Sequence, residues 1–262
     1  MKELIFTQNY GDTKLSVFST RLAMGKAAAK DAGEQMIKLL SEKPSISCLF
    51  AAAPSQQEFL DALAVYPGID WQRVIAFQMD DYIGLPSDSE ASFAYFLKNA
   101  IFDKLPFGAV HLMKDYFNSP DPIAAYTALI KKHPIDIVFM GIGENGHIAF
   151  NDPGIADFND PHDMKIVELD NKSRQQQVND GCFPDIDSVP KCAYTITIPP
   201  MVKAKLRYCI VPHHLKAPAV KAALEGPITE DCPASILQKT PNTYMYIDEE
   251  AAKLLESFNA NR

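Results

Sequence analysis

The sequence predicts an α/β fold, a doubly wound and mostly parallel sheet with helices on both faces, and three observations carry that prediction. Short β-branched and aromatic runs alternate with helix-length segments along most of the 262 residues, the pattern of successive βαβ units. Two of those runs end in loops rich in groups that move protons, and open α/β sheets hold their ligands at the carboxyl ends of their strands. The composition, 47% hydrophobic and 22% charged, lets one generous domain over residues 1–262 bury a large core.

In chain order, the strands are expected at Ser47 to Ala53, Arg73 to Met79, Ile135 to Met140, Leu206 to Val211 and Thr243 to Ile247. Helices are expected at Ser19 to Leu40, Gln56 to Ala64, Ser92 to Phe102, Pro122 to Lys132, Ala217 to Leu224 and Glu249 to Phe258. Ser87-x-x-Glu90 before Phe93 has the form of a capping box. The stretch from Asn151 to about Val189, rich in Asp, Asn, Gln and Pro, reads as one long irregular insert. A loop of that length in a compact domain is usually functional, and a lid is the expectation here.

Charge and cysteine usage exclude several classes. A formal charge of −8 without a long Lys/Arg run speaks against general nucleic-acid binding. Five scattered cysteines without C-x-x-C spacing read as reduced thiols in a cytoplasm and not as metal ligands. The first residues hold too short an apolar run for a signal peptide, and no stretch is long and apolar enough to span a membrane.

The chemistry concentrates in Gly141-Ile-Gly-Glu-Asn-Gly-His147-Ile-Ala-Phe-Asn-Asp152, which follows an apolar strand. The glycines let the backbone turn sharply and approach a ligand. Asp152 is placed to orient the His147 imidazole, and a histidine titrates close to neutral pH, where a general base must work. Met79-Asp80-Asp81-Tyr82 delivers two carboxylates and a phenol to a second strand end, where a shielded carboxylate can take a proton from carbon. Ser55 stands between a strand and a helix, where free N–H groups form an anion site. Lys216, at the start of the helix after Leu206 to Val211, would add a point charge.

These motifs together resemble the glucosamine-6-phosphate deaminase family, relatives of the 6-phosphogluconolactonases. The resemblance runs from about Ser19 to Leu254 and rests on Met-Asp-Asp-Tyr-x-Gly-Leu-Pro at 79–86, Gly-x-Gly-x-x-Gly-His-Ile-Ala-Phe-Asn at 141–151, Val-Pro-Lys-x-Ala at 189–193, and Leu-Lys-Ala with Leu-Glu-Gly at 215–226. It implies a Rossmann-like sheet and conversion of an amino-sugar phosphate to a keto-sugar phosphate and ammonia, with no metal and no cofactor. By position, Asp80 matches the base between C2 and C1, His147 the ring-opening group, Asp152 the assisting carboxylate and Lys216 a phosphate-binding lysine. Asp81, Tyr82 and Gly146 join the substrate-binding set. The implied partner is a small sugar phosphate, with neither nucleic acid nor membrane, and a homo-oligomer is compatible with the sequence.

Three departures stand out. Asn145 replaces an aspartate of the ring-opening relay, which by analogy with a triad Asp→Asn change costs up to roughly 10⁴ in rate. The phosphate loop reads Ala-Ala-Pro-Ser-Gln at 52–56 in place of Thr-Gly-Gly-Thr-Pro. The lid's phosphate-binding arginine falls near Asn179 or Asp180, with Arg174 as the substitute. Two other readings use the same groups. One is a lactonase-type hydrolase in which His147 activates water, and the other a weakly catalytic sugar-phosphate sensor.

Overall fold

The computed structural model describes residues 3–86 and 88–260. A hairpin of β1 (Leu4–Tyr10) and β2 (Thr13–Phe18), turned by Gly11 at φ +56°, opens the chain. There follow α1 (Arg21–Glu42), β3 (Ile46–Phe50), α2 (Gln57–Ala64), β4 (Val74–Gln78), β5 (Asp80–Tyr82) and α3 (Phe93–Leu97), which continues as one π-helical turn over Lys98–Phe102. The middle holds β6 (Ala109–His111), α4 (Pro122–Lys132), β7 (Ile137–Met140), β8 (Met164–Glu168), α5 (Asn171–Asn179) and β9 (Cys192–Ile196). The chain then runs through α6 (Ile198–Lys203), β10 (Leu206–Val211), α7 (Ala217–Glu225), β11 (Thr243–Asp248), α8 (Glu249–Ala252) and α9 (Glu256–Ala260).

All five expected strands form, and the helices start where the local chemistry starts them. Thr20 Oγ1 accepts the Ala23 N–H at 3.1 Å to open α1, and Asp121 accepts the Ala124 N–H at 2.9 Å ahead of Pro122 to open α4. Lys131 and Lys132 close α4 against the negative end of its dipole. The capping box fares differently, because Ser87 lies outside the described residues. The cap of α3 is Ser92, whose Oγ accepts from the Tyr95 N–H at 3.1 Å. The single helix expected over Glu249 to Phe258 is two short ones. The stretch 151–189 is not irregular throughout, since it contains β8 and α5.

The main sheet has eight strands in the order β1-β2-β11-β10-β7-β3-β4-β6. Every pairing is parallel except the β1–β2 hairpin. From β3 the chain builds outward through β4 to β6, then returns to lay β7 on the other side of β3 and builds outward again through β10 and β11. The winding reverses between β3 and β7, and beyond the carboxyl ends at such a switch point an α/β sheet leaves a crevice.

Side-chain alternation along the strands divides the core between the two faces. Ile137 and Phe139 of β7 pack with Phe50, Phe59 and Tyr208 under α1 and α2. Val138 and Met140 pack with Leu49, Phe77 and Cys209 under α4 and α7. A register slip of one residue would exchange the two sets, so this pattern fixes where each strand ends.

A second, antiparallel sheet of order β5-β9-β8 stands against that crevice. Met79 is the joint between the sheets: its N–H donates to Phe50 O at 3.0 Å, and its carbonyl accepts from the Ile196 N–H at 3.0 Å. Asp80, the next residue, pairs with Thr195 of β9. It therefore sits where the backbone leaves one sheet for the other.

Candidate active site

The turn after β7 delivers His147. The Gly143 N–H donates to His147 O at 3.0 Å, and the Gly146 N–H donates to Gly143 O at 3.0 Å. Gly146 lies at φ +89°, in the left-handed region that favours glycine. A Cβ on Gly143 would stand 2.1 Å from the His147 ring, so a side chain there would push the imidazole away. Nδ1 of His147 is 2.9 Å from Asp152 Oδ1 and 2.9 Å from the Ser173 hydroxyl, which itself donates to Asp152 Oδ1. Asn145 donates to Asp152 Oδ1 at 3.0 Å and to Asp170 Oδ2 at 3.1 Å, while its own carbonyl accepts from the His147 N–H at 3.1 Å.

Burial alone would push the Asp152 carboxyl up. The bond to and charge of His147, with the donors Asn145 and Ser173, reverse that and bring it down to about 2. A carboxylate at Nδ1 keeps the proton on that nitrogen and directs the Nε2 lone pair outward. Nε2 has no protein partner among the described residues, and His147 lines the cleft.

Asp80 and Asp81 are neighbours in β5 with opposite environments. Asp81 accepts from Gln78 Nε2 at 2.7 Å and from the N–H groups of Tyr82, Phe93 and Ala94 at 2.9, 3.1 and 3.2 Å. Its carboxylate holds the N-terminus of α3 and is turned away from the cleft. Asp80 is 6% exposed and lines the cleft beside Met79, Phe93 and Phe150. Its carboxylate makes no hydrogen bond or ion pair among the described residues. Burial, and then the charge of Asp81, push its carboxyl well above the usual carboxylate range. A carboxylate without donors against an apolar wall is an avid proton acceptor.

The cation comes from the other side of the switch point. Lys216 ends a 3₁₀ turn (His214–Lys216) that leads into α7. The turn hangs on His213, which is held at φ +89° because its N–H donates to both oxygens of Asp248 at 3.0 Å. Lys216 is 5% exposed, lines the cleft and has no ion-pair partner among the described residues. Burial pulls its ammonium below the ordinary lysine value, against the charges of Asp180 and Glu144. Ser55 and Gln56 line the same space, with the Gln56 amide fixed to Ile210 O at 3.0 Å and to Ser55 Oγ at 3.2 Å.

Asp80, His147, Ser55 and Lys216 thus converge on one cleft beyond β3, β4, β7 and β10. Among the described residues no group of three or more His, Cys, Asp or Glu side chains is placed to hold a metal ion. No helix among them is long and apolar enough to cross a membrane.

Residues 19–245 match the family model described as glucosamine-6-phosphate isomerases/6-phosphogluconolactonase. The chain belongs to that family. A glucosamine-6-phosphate deaminase of Bacillus cereus is 36% identical over 187 residues, 71% of this chain and 70% of that protein. One from Bacillus cytotoxicus matches with the same identity and coverage. Among solved structures, a monomeric glucosamine-6-phosphate deaminase superposes with a TM-score of 0.82 at 28% identity, covering 92% of this chain and 99% of that one. A 6-phosphogluconolactonase of Thermotoga maritima, 18% identical, shares the fold with a TM-score of 0.72 over 90% of this chain and 100% of that one. The α/β architecture expected from the sequence is the architecture of this family.

Against the family expectations, some side chains lie elsewhere. Tyr82 is buried among Phe93, Phe150 and Phe183 and, like Asp81, faces a neighbouring hollow and not the cleft. Gly146 stands behind the turn, against Cys232. Arg174 does not supply the lid's cation, because its guanidinium donates to Ile186 O at 2.5 Å and to Val189 O at 3.1 Å. Asn179 donates to Glu144 Oε2 at 3.4 Å. What α5 turns into the cleft is Gln176 and Gln177, and its first turn carries Asp170 and Ser173 to the His147 pair. Sequence reasoning missed all four. The one available signal was Asp170 as a helix cap, accepting from the Lys172 N–H at 3.2 Å.

Proposed function

We propose that this family member converts an amino-sugar phosphate, glucosamine 6-phosphate or a close analogue, and water into the keto-sugar phosphate and ammonia. The observation that carries the reading is Asp80, a buried carboxylate without donors that shares a cleft with a histidine whose Nδ1 is tied to a carboxylate. Hydrolysis of a lactone requires a base for water but none for carbon, so Asp80 favours the deaminase chemistry over the lactonase one.

In this mechanism Nε2 of His147 accepts the C1 hydroxyl proton as the ring opens and returns a proton to the ring oxygen. The Asp152 carboxylate balances the charge that develops on the imidazole. Asp80 takes the C2 proton and delivers it to C1 while a proton passes from the amine to O1, so that the C1 aldehyde becomes an alcohol and the amine at C2 an imine. Water adds at C2, and the C–N bond breaks to release ammonia and leave the ketone. Lys216 and the Ser55 hydroxyl hold the anionic end of the sugar, and the apolar wall of Phe93 and Phe150 keeps bulk water from the carbanion-like centre.

Residues 151–189 act in this reading as a lid, since α5 brings Gln176 and Gln177 onto the cleft and Ser173 onto the His147–Asp152 pair. A monomer suffices for the chemistry, because every group named comes from one chain. Five free thiols support a reducing, cytoplasmic setting. The test is ammonia release across aminohexose and hexose phosphates, with solvent deuterium followed at C1 and C2. Ammonia with deuterium at C1 is expected, and turnover of a lactone without ammonia would overturn the reading.

A further inference from the structure

The anion end of the cleft is poor in charge. Among the described residues, Lys216 is the one lysine or arginine lining it. Two other cations near the cleft are engaged by protein groups: Arg174 donates to the carbonyls of Ile186 and Val189, and Arg21, beside the 52–56 loop, donates to Pro54 O at 3.1 Å and pairs with Glu58 at 2.8 Å. Asp180 and Glu144 lie close enough to Lys216 to act on its charge. The remaining donors are neutral. Ser55 Oγ accepts from Gln56, which leaves its own O–H to donate. Gln177 is 6% exposed, lines the cleft, and its carboxamide has no hydrogen-bond partner among the described residues. A carboxamide that lines the cleft without a protein partner is free to take one from the ligand.

A doubly charged phosphate entering this space would set two negative charges against one ammonium, with two further carboxylates near that ammonium. One negative charge is balanced by Lys216, and the other oxygens of a tetrahedral or planar anion match the neutral donors Ser55 and Gln177. We infer that Gln177 and Lys216 tune the site to an amino sugar whose terminal group bears a single negative charge, a sulfonate or carboxylate at C6 or a phosphate ester in its monoanionic form. Gln177 is then the residue that sets the charge of the accepted terminus. The inference rests on the proposed function for the identity of the sugar, but not for the charge at its end.

The test compares 2-amino-2-deoxyhexoses with a phosphate, a sulfonate or a carboxylate at C6. Their binding to the Asp80→Asn protein is read by calorimetry, and ammonia release by the parent protein is read alongside. A sulfonate stays singly charged between about pH 5.5 and pH 8, whereas a phosphate ester passes from mostly monoanion to dianion as its second proton leaves near pH 6. The ratio of phosphate to sulfonate affinity therefore cancels titrations of the protein itself. That ratio is expected to fall roughly tenfold or more from about pH 5.5 to pH 8, following the loss of the monoanion. Gln177→Arg in the same background is expected to remove the fall and to raise phosphate affinity near pH 8 by roughly tenfold. A ratio that stays level or rises with pH overturns the inference, as does a Gln177→Arg protein that binds all three termini like its parent. If the ratio falls as expected but no compound releases ammonia, the anion site stands and the proposed reaction fails. The carboxylate and sulfonate arms decide which of the two singly charged termini fits better.

Discussion

The side-chain amide of Asn145 donates to the buried carboxylate of Asp152 at 3.0 Å. From the sequence, Asn145 reads as the loss of a carboxylate from the ring-opening relay. In the structure the same amide also reaches Asp170 at 3.1 Å, so it lies between two carboxylates and gives each a proton donor. An aspartate in its place has at most one O–H and could not serve both. The charge beside His147 is still present, supplied by Asp152 and oriented by Asn145, Ser173 and the first turn of α5.

The first expectation concerns Asp80. Replacing it with Asn removes the proton acceptor with little change of volume, and kcat should fall by roughly 10²–10⁴, with loss of deuterium exchange at C1. The same change should stabilise the fold at neutral pH. Because burial raises the folded-state pKa of Asp80, the unfolded chain ionises first as pH rises, and stability declines from the ordinary carboxylate range up to the folded value. Asn carries no such cost. Melting temperatures should therefore diverge in favour of Asp80→Asn above that range and coincide near pH 3 and below, about one unit under the ordinary value. Activity of the parent protein, which needs ionised Asp80, should fall away on the acid side at a pH above the usual carboxylate range. A variant that retains more than about a tenth of the turnover would remove Asp80 from the role of carbon base.

What was legible in the sequence was whatever local physics decides alone. Ile137-Val-Phe-Met140 has apolar residues on both faces and can only be a buried strand, and the glycines after it mark the loop that carries His147. The hairpin β1–β2 has only Gly11-Asp12, a two-residue turn signal, to mark it in the sequence. The three-residue β5 and β6 are too short for periodicity to show. The deeper miss was α5. Its sequence, Asn171-Lys-Ser-Arg-Gln-Gln-Gln-Val-Asn179, has a single apolar residue, and its buried face is Ser173, Arg174, Gln176 and Gln177. Hydrophobic periodicity cannot announce a helix that buries polar groups for function, and the partners that make such burial tolerable come from segments distant in the chain.

Ser173 gives a sharper test of the His147 arrangement. Ser173→Ala removes the hydroxyl shared by Nδ1 and Asp152 and leaves the Asp152–His147 contact to orient the ring alone. On closed-ring substrate kcat/KM should drop about tenfold, the equivalent of one net hydrogen bond of about 1.4 kcal/mol. His147→Gln should lose roughly 10²-fold or more. A substrate fixed in the open-chain form should react almost normally with both variants. Equal losses on open and closed forms would assign His147 and Ser173 to a step after ring opening.

The acid stability of the protein should report on Asp152. Its folded-state value of about 2 lies below the ordinary aspartate value of 3.8. The stability it contributes is therefore complete above about pH 4 and is lost as the pH falls toward 2, in total on the order of 2 kcal/mol. Asn145→Ala removes one of the donors that hold this carboxyl down, so the variant should be less stable than the parent at neutral pH and lose less on acidification, its decline in denaturant midpoint ending at a higher pH than the parent's. Identical profiles between pH 2 and pH 5, the span that brackets both values, would show that His147 and Ser173 suffice to fix Asp152 without the amide.

Lys216 is where substrate binding is most exposed to a single substitution. It is the cation that the turn at His213 holds into the cleft, and the other donors there are neutral. Lys216→Met should weaken binding of sugars with an anionic terminus by about 1.5–3 kcal/mol, the range for hydrogen bonds to charged groups, and leave neutral sugars nearly unchanged. Because burial lowers the pKa of this ammonium, binding in the parent protein should decline on the alkaline side before an ordinary lysine would lose its proton, and the variant should lack that decline. Calorimetry with anionic and neutral sugars over the alkaline range reads both effects. An equal loss for the two kinds of sugar would mean that Lys216 supports the loop or the sugar ring, and the anion would then rest on Ser55 and the neighbouring backbone of α2.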